Sequence, residues 1–415
     1  MKFAVVTYGT EGDTRPLAAL CRALMDAGHE TLLLADGATL SMAHTLGVPM
    51  RSLAGDIKSA LRPGHALFDA MDKGHRVTDM AQALATVANS HTESWMRDLA
   101  EAAAGCDAIL LSALASFVGL SVAEYRGIPG IGVGFIPISP TRAFPSPFLP
   151  PRGIPRALNR PSHRLVNNLI WHAFRKATNV ARASVCGLPP RQKVWTDHPI
   201  LYGISPTLLP RPDDWPTNTH MCGQWIQPMP QWSPSTVLSD FLSAGQPPLY
   251  IGFGSMAGFD HQKLLHAVIR AVGGRRALFQ PGWSGADSSS LPTNFFRIGD
   301  TPHDWLFPKV SLAIHHGGAG TAHSAARAGI PSVVVPFAGD QYFWAERLRQ
   351  LGVSAAPTPA KHADEAALGK AIEFAESPAA RARAASLGAH MTREDGLRSA
   401  VSAIEMEMAR FARVL

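Results

Sequence analysis

Two adjacent histidines, His315 and His316, stand in front of a glycine-rich stretch in the segment AIHHGGAGTAHSAARAG, residues 313–329. The residues before them are typical of a buried strand, and those after them of a helix that ends at Gly329. A strand that leads through a glycine loop into a helix leaves several backbone N–H groups pointing at the space above the helix N-terminus, where the helix dipole is positive. The stretch therefore predicts a phosphate site, with an imidazole beside it to donate a hydrogen bond to a diphosphate oxygen.

Two common phosphate motifs do not fit this stretch. No G-K-[ST] follows the glycines, which excludes a P-loop, and His323 stands where a dinucleotide fingerprint needs its third glycine. Asp340 lies about where the ribose-binding acid of such a fingerprint would fall, so a dehydrogenase remains an alternative. The sequence has no D-x-D to hold Mg²⁺ or Mn²⁺ on a diphosphate. We therefore expect the helix, imidazole and backbone to meet the negative charge without a metal.

A candidate base, Asp13, follows the first predicted strand, three residues before Pro16. A hydroxyl is a poor nucleophile until its proton is removed as it attacks, so transfer of a group to a hydroxyl needs such a base. The alternative is that Asp13 is the N-cap of the following helix, with Pro16 as the N1 residue.

The elements that must position these residues alternate regularly along the chain. Short apolar runs alternate with helix-period segments, which predicts parallel βαβ units. The 415 residues are too many for one core, and a Pro-rich polar passage interrupts the rhythm. We expect two doubly wound, Rossmann-like α/β domains that face each other across a cleft: an N-terminal domain over 1–210, a linker over 211–220 and a C-terminal domain over 221–395. Residues 396–415 predict an amphipathic helix that packs on a domain surface, the alternative being a membrane-surface helix.

The composition is typical of a soluble globular protein, with 46% hydrophobic and 17% charged residues and a net charge of +6. The basic residues are scattered and no nucleic-acid-binding module is recognisable, so nucleic acid is not an expected partner. The four cysteines lie far apart without C-x-x-C spacing, which predicts neither a disulfide framework nor a zinc site and favours a reducing cytosol. No leader or spanning segment is expected, so we predict a cytoplasmic protein, with peripheral membrane contact left open.

Four segments, in the order LYIGFGSM, PHDWLFPKV, HHGGAGT and PFAGDQYFWAERL, resemble the donor domain of family 1 inverting glycosyltransferases, which have the GT-B fold. The N-terminal GTEGDTRP resembles the first loop of the bacterial antibiotic-aglycone and sterol glycosyltransferases of that family, so the resemblance covers nearly the whole chain. It implies transfer of a sugar from a UDP- or dTDP-sugar, with inversion and without a metal or a cofactor, the nucleotide sugar being a co-substrate. The acceptor would be a hydroxyl of an apolar molecule such as a lipid, sterol or polyketide.

The resemblance also implies a set of site residues. The donor site comprises Ser255, Trp283, His303, His315, Gly317, Gly318, Ala319, Gly320, Thr321, Asp340 and Gln341. Asp13 and His315 are the implied catalytic residues, Asp13 as the base and His315 at the diphosphate. The backbone and hydroxyl groups of the glycine loop, with Ser255 opposite, complete the diphosphate cradle. Trp283 and His303 would line the pocket for the nucleobase, and Asp340 with Gln341 would bind hydroxyls of the donor sugar.

Several of these residues have a purely structural alternative. His315 would equally be a buried histidine at a strand end, and the role of His316 stays open. Trp283 alone would fit a core position, and Asp340 alone a turn residue. The order of the motifs favours the ligand roles.

An irregular, Pro-rich segment over 135–161 interrupts the N-terminal domain. A stretch of this length without helix or strand is more often a functional loop than a connector. We expect it to border the acceptor, with Phe135, Phe144 and Phe148 in contact with an apolar aglycone.

Two positions depart from the family pattern. Glu11 stands where the related bacterial enzymes usually carry Arg, and a neighbouring carboxylate tends to raise the pKa of Asp13. His323 occupies the position at which plant members carry a ribose-binding Glu, so the choice between uridine and deoxythymidine stays open. The acceptor and the oligomeric state stay open as well.

Two other functions are compatible with these motifs. A hydrolysing sugar-nucleotide epimerase of the same fold would need no acceptor. A non-catalytic sugar-nucleotide-binding protein would bind the nucleotide tightly and turn nothing over.

Overall fold

The computed structural model describes residues 1–60, 77–226, 232–254, 261–282 and 291–413. The described part of the chain forms two α/β units, each built on a parallel sheet. The seven-stranded sheet has the order β3-β2-β1-β4-β5-β6-β7 and the five-stranded sheet the order β10-β9-β8-β11-β12. The strands are β1 (Lys2–Val6), β2 (Glu30–Asp36), β3 (Met50–Leu53), β4 (Ala108–Leu111), β5 (Gly130–Gly134), β6 (Ile200–Tyr202), β7 (Thr219–Met221), β8 (Leu249–Gly252), β9 (Ala277–Gln280), β10 (Phe295–Arg297), β11 (Leu312–His315) and β12 (Ser332–Val334).

Helices cover both faces of the sheets. They are α1 (Glu11–Asp26), α2 (Ser41–Thr45), α3 (Ile57–Ala60), α4 (Val77–Asn89), α5 (Thr92–Ala102), α6 (Ser116–Arg126), α7 (Asn159–Cys186), α8 (Thr236–Ser243), α9 (His261–Val272), α10 (His303–Leu306), α11 (Ala319–Arg327), α12 (Gln341–Gln350), α13 (Glu365–Glu376), α14 (Pro378–Met391) and α15 (Gly396–Ala412). None of these helices is both long and apolar enough to cross a membrane.

The central strands are apolar on both faces because helices pack on each side of a parallel sheet. Along β1, Ala4 and Val6 contribute to the core on one face of the first sheet, while Phe3 and Val5 contribute to the core on the other. All four residues are fully buried. Two domains with parallel sheets, as predicted from the alternating pattern, are therefore confirmed.

The boundary between the domains lies later than the sequence predicts. The expected linker over 211–220 runs into β7, which pairs in parallel with β6 and is the edge strand of the first sheet. Within the same passage, Trp215 is buried and stacks on Tyr202 with ring centroids 5.0 Å apart. A Pro-rich composition predicts irregular backbone but not the absence of packing, and a three-residue strand is too short to give a periodic signal.

The predicted C-terminal helix is present as α15 and packs on α1 of the N-terminal domain. Val401 and Ile404 are buried in the same core as Leu17 and Leu20. The last helix therefore returns to the first domain, and its apolar face is covered by protein rather than left for a membrane surface.

Candidate active site

A cleft of about 2160 Å³ lies between the two domains. Its walls include the loops that follow β1, β4 and β5 of the first sheet and β8 to β12 of the second. In open parallel α/β sheets, ligands bind at the carboxyl ends of the strands. Here the carboxyl ends of both sheets contribute to a single cleft.

The two adjacent histidines after β11 differ in position. His315, the last residue of β11, is fully buried, and its Nδ1 accepts a hydrogen bond of 3.1 Å from the Gly317 N–H. His316, the next residue, lines the cleft, whereas His315 does not. Burial, together with the neighbouring imidazole of His316, lowers the pKa of His315 to about 3. His315, which was expected at the diphosphate, therefore lies behind the cleft surface, and His316 is the imidazole that faces the cleft, since successive residues at a strand end point to opposite sides.

Glycines on two loops make room for the His316 imidazole. A Cβ atom on Gly318 would overlap its Nε2, and one on Gly254 would lie 2.9 Å from its Cε1. Burial lowers the pKa of His316 to about 4, so the ring is neutral at pH 7. Within the part of the chain that the structure describes, its Nδ1 has no hydrogen-bond partner. The ring is therefore fixed by packing and by a hydrogen bond with the Gly252 backbone, while Nδ1 has no partner among the described residues.

The glycine loop leads directly into the N-terminus of α11, with Gly318 as the N-cap. Gly318, Ala319, Gly320 and Thr321 line the cleft, as predicted for a cradle, and the first N–H groups of a helix have no intrahelical partner. Gly317 lies one layer below the cleft surface. Its φ of +88° and the closeness of Val334 to its missing side chain explain the glycine there.

Asp340 is the N-cap of α12 and Gln341 is the first residue of that helix, and both line the cleft. The Asp340 carboxylate accepts a hydrogen bond of 2.9 Å from Trp344 Nε1. Gln341 Oε1 accepts hydrogen bonds from the N–H groups of Phe337 and Ala338, at 2.7 and 3.2 Å, and so holds the turn. Burial, together with the charge of Asp13, raises the pKa of Asp340 to about 6.

Asp13 faces the cleft from the N-terminal domain. The alternative that it is the N-cap, with Pro16 at N1, is wrong, because α1 begins at Glu11 with Thr10 as its N-cap and Pro16 lies inside the helix. Asp13 Oδ2 instead accepts hydrogen bonds from the backbone N–H and the hydroxyl of Thr10, at 2.9 and 3.4 Å. Burial raises the pKa of Asp13 to about 6 against the lowering effect of these hydrogen bonds.

Glu11 does not raise the pKa of Asp13 in the way its position suggests, because its charge is neutralised. Arg15 Nε donates to Glu11 Oε2 at 2.7 Å, one helical turn away. The same guanidinium pairs with Asp300 of the C-terminal domain. Glu11, Arg15 and Asp300 thus form an ion-pair chain that joins the two domains at the cleft.

The structure describes only part of the pocket expected for the nucleobase. His303 lines the cleft and stacks on Phe307 with ring centroids 4.2 Å apart, while its Nε2 lies 3.3 Å from the Tyr250 hydroxyl. Burial lowers the pKa of His303 to about 4. The predicted site residues Ser255 and Trp283 lie outside the described residues.

His323 lies on α11 at the cleft wall, and its Nδ1 is 2.7 Å from the Ala319 carbonyl. Its ring meets Trp344 edge-on with centroids 4.9 Å apart, and burial lowers its pKa to about 4. This histidine is therefore a neutral, packed residue beside the glycine loop.

Two of the three phenylalanines expected at the acceptor line the cleft. Phe135 and Phe148 do so, but Phe144 does not. Phe144 packs on Phe343 of α12, with ring centroids 5.1 Å apart, and so joins the Pro-rich segment to the C-terminal domain. Proline-rich composition identifies an irregular segment but not which of its rings face the cleft.

A group of aromatic side chains in the N-terminal domain was not predicted from the sequence. Phe117 on α6 lies edge-on to Phe174 on α7, with centroids 5.4 Å apart, and stacks near Trp195 at 6.2 Å. All three line the cleft, together with Leu120 and Ile170. Apolar residues three or four apart on a helix are expected in a core, so the sequence carries no signal that they face a cavity.

Within the described ranges, no group of three or more His, Cys, Asp or Glu side chains is placed to hold a metal ion.

Comparison with known proteins places this geometry in a family. Residues 278–403 match the model of the C-terminal domain of erythromycin biosynthesis protein CIII-like proteins. The chain is 31% identical over 421 residues to O-mycaminosyltylonolide 6-deoxyallosyltransferase of Streptomyces fradiae, covering 98% of this chain and 97% of that protein. It is also 31% identical over 449 residues to a sterol 3-beta-glucosyltransferase of Cryptococcus neoformans, but there it spans 98% of this chain and only 27% of the relative.

Solved structures show the same fold at lower sequence identity. The calicheamicin glycosyltransferase CalG4 superposes with a TM-score of 0.71 at 17% identity, covering 99% of this chain and 98% of that chain. Glycosyltransferase VinC, in complex with dTDP, superposes with a TM-score of 0.67 at 18% identity and full coverage of both chains. The resemblance seen in the sequence motifs is confirmed, and the chain belongs to the GT-B-fold glycosyltransferase family that includes antibiotic and sterol glycosyltransferases.

Proposed function

We propose that the protein transfers a sugar from a nucleoside diphosphate donor to a hydroxyl of an apolar acceptor, with inversion and without a metal or cofactor. One observation carries this proposal: the two domains bring Asp13, Asp340 and the glycine loop to the same cleft. Asp13 lies close enough to Asp340 for its charge to contribute to the raised pKa of that carboxyl. The candidate base, sugar-binding and diphosphate-binding residues therefore lie within reach of one substrate pair.

In the proposed reaction, Asp13 removes the proton of the acceptor hydroxyl as its oxygen attacks C1 of the donor sugar. A new C1–O bond forms on one face of the sugar while the bond from C1 to the diphosphate oxygen breaks on the other. The electron pair of that bond leaves with the diphosphate, and the configuration at C1 inverts. A carboxylate whose pKa is near 6 is well matched to this role, since it is ionised at neutral pH yet more basic than an ordinary Asp.

The charge that develops on the diphosphate would be met by the N-terminus of α11 and by His316. The backbone N–H groups from Ala319 onward are available at the helix start, and the helix dipole favours an anion there. The neutral His316 imidazole has a single N–H, which would turn from the Gly252 backbone to the diphosphate when the donor binds. The absence of D-x-D from the sequence supports a metal-free mechanism.

For the donor nucleotide, solved structures of the same fold favour deoxythymidine, because those of VinC, SsfS6 and SpnG contain thymidine diphosphate. For the acceptor, the aromatic wall formed by Phe117, Phe174 and Trp195 suits a large apolar aglycone such as a sterol or polyketide. The same wall favours a glycosyltransferase over a sugar-nucleotide epimerase, because an epimerase needs no apolar cavity for an acceptor.

The test is a donor-by-acceptor screen read by mass spectrometry, on protein dialysed exhaustively and assayed in excess EDTA. We expect at least one pair to give the acceptor mass increased by one sugar, with the same rate when Mn²⁺ replaces EDTA. Sugar release without any acceptor product would favour hydrolysis or epimerisation. Activity that appears only with Mn²⁺ would contradict the metal-free mechanism, and tight nucleotide binding without turnover on any acceptor would favour a binding protein.

A further inference from the structure

The chain contains no Asp or Glu between Glu124 and Asp197, although eleven Lys and Arg residues lie in that interval. The Pro-rich segment and α7 occupy most of it. This interval of the N-terminal domain therefore carries an excess of positive charge.

Some of these cations are paired with carboxylates from neighbouring segments. Arg182 and Arg191 contact Glu124, and Arg152 contacts Glu346 of the C-terminal domain. The pairs involving Arg182 and Arg152 are at 2.9 and 2.8 Å, within hydrogen-bonding range. The remaining cations include several on the outer face of α7 and on the turn that precedes it.

That outer face also exposes large aliphatic side chains. Leu158, Leu165 and Val180 are 53%, 58% and 58% exposed. Exposed cations and one histidine lie between them along the helix. We define the α7 surface as Arg156, Leu158, Arg164, Leu165, His172, Lys176 and Val180.

The α7 surface is continuous with the mouth of the cleft. Arg164 and Asn167 of α7 line the cleft, as does Ile138, whose carbonyl accepts a hydrogen bond of 3.3 Å from Asn167. Further along the same helix, Ile170 and Phe174 form part of the apolar wall. One helix therefore presents one side to the acceptor part of the cleft and an adjacent side to the outside.

We propose that the α7 surface docks on an anionic lipid bilayer and that an apolar acceptor enters the cleft from that bilayer. Cations attract the anionic headgroups, and exposed Leu and Val side chains insert into the headgroup region, a combination typical of interfacial helices. Nucleic acid would use the cations but not the aliphatic side chains. A second copy of the chain would bring two surfaces of like charge together, which is unfavourable. The delivery of acceptor rests on the proposed function, whereas the docking does not.

The docking is tested by vesicle flotation at low salt. Wild-type protein is compared on vesicles of phosphatidylcholine and on vesicles of phosphatidylcholine and phosphatidylglycerol in equal amounts. We expect binding to the mixed vesicles only, weakened by added salt because the attraction is screened. Arg156→Glu with Lys176→Glu is expected to lower the affinity at least about tenfold, from the contribution of each cation near an anionic surface.

Two further variants separate charge, apolar contact and non-specific effects. Leu158→Ser with Leu165→Ser should weaken binding while the net charge is unchanged. Lys370→Glu with Arg381→Glu makes the same charge change on exposed residues of the C-terminal domain and should leave binding unchanged. The α7 variants should keep the melting temperature and nucleotide affinity of the wild type, because none of the changed residues lines the cleft.

Several results would overturn the docking. They are failure of the wild type to bind mixed vesicles, α7 variants that bind like the wild type, or an equal loss in the C-terminal control. Retention of the protein by duplex DNA but not by vesicles, or a dimer in solution that the α7 variants dissociate, would assign the surface to another partner. Failure of vesicle binding with intact sugar transfer in detergent would refute the docking alone, and vesicle binding without any transfer would refute the proposed function alone.

Discussion

Asp13→Asn is expected to lower the rate of sugar transfer by about a hundredfold or more, the loss typical of removing a general base. The amide can still accept the hydrogen bonds that Thr10 donates to Oδ2, so the start of α1 should keep its geometry. It cannot take the proton of the acceptor hydroxyl. Initial rates at saturating donor measure the effect, and a nucleotide titration should give the wild-type affinity.

The pH dependence of the wild type provides a second readout of the same residue. The base must be ionised, so kcat/KM should fall as the pH drops through about 6, where burial places the pKa of Asp13. Because the pKa in the folded state is raised, the stabilisation associated with protonation is present below the unfolded value and lost as the pH rises through about 6. Neutral Asn should therefore give a melting temperature at pH 8 that is no lower than that of the wild type.

Glu11→Gln is the matched comparison, since it removes a carboxylate from the same first turn of α1. Glu11 is paired with Arg15, so it is not available as a base, and its amide variant should retain most of the transfer rate. Wild-type rates in Asp13→Asn together with a large loss in Glu11→Gln would contradict the assignment and make Glu11 the base.

His316→Ala is expected to lower turnover by roughly ten- to a thousandfold, the range for loss of one donor that stabilises developing charge. The imidazole lies in the cleft between Gly254 and Gly318, beside the start of α11. Its removal should leave the fold intact, because the cavity opens to solvent in the cleft. Single-turnover rates and a melting curve on the same preparation separate the two effects.

His315→Ala serves as the control, because it is expected to lower the stability of the protein rather than its turnover. His315 is fully buried and accepts a hydrogen bond from the Gly317 N–H, so its loss should cost about 1–3 kcal/mol of stability. Turnover of the folded protein should change much less than in His316→Ala. A large loss of turnover in His315→Ala, with His316→Ala near wild type, would reinstate His315 at the diphosphate.

The architecture was predictable because the apolar runs, the helix periodicity and the glycine loop all indicate the same parallel α/β fold. The strands at the centre of both sheets are apolar runs, and the glycine loop after β11 predicts a strand, a turn and a helix N-terminus in that order. Motif order then indicated which loops meet in the cleft. Asp340 and the residues from Gly318 to Thr321 line the cleft as expected, and their roles in donor binding stay predictions.

The positions of His315 and Asp13 differ from the prediction because a change of one to three residues in where a strand or helix begins or ends changes which side chains face the cleft. A strand that ends at His315 rather than His316 decides which imidazole faces the cleft, because side chains alternate at a strand end. Helix α1 begins two residues before Asp13 and so changes its part in the cap. Phe144 and the aromatic residues of α6 and α7 depend on tertiary packing, which local periodicity does not encode.

The anomeric configuration of the product is the sharpest test of direct displacement by an acceptor that Asp13 activates. It is read by NMR on the glycoside formed from the first donor and acceptor pair that the protein accepts. We expect a configuration at C1 opposite to that in the nucleotide sugar, because Asp13 activates the acceptor for attack opposite the diphosphate. A glycoside with the configuration of the donor would contradict direct displacement in this cleft.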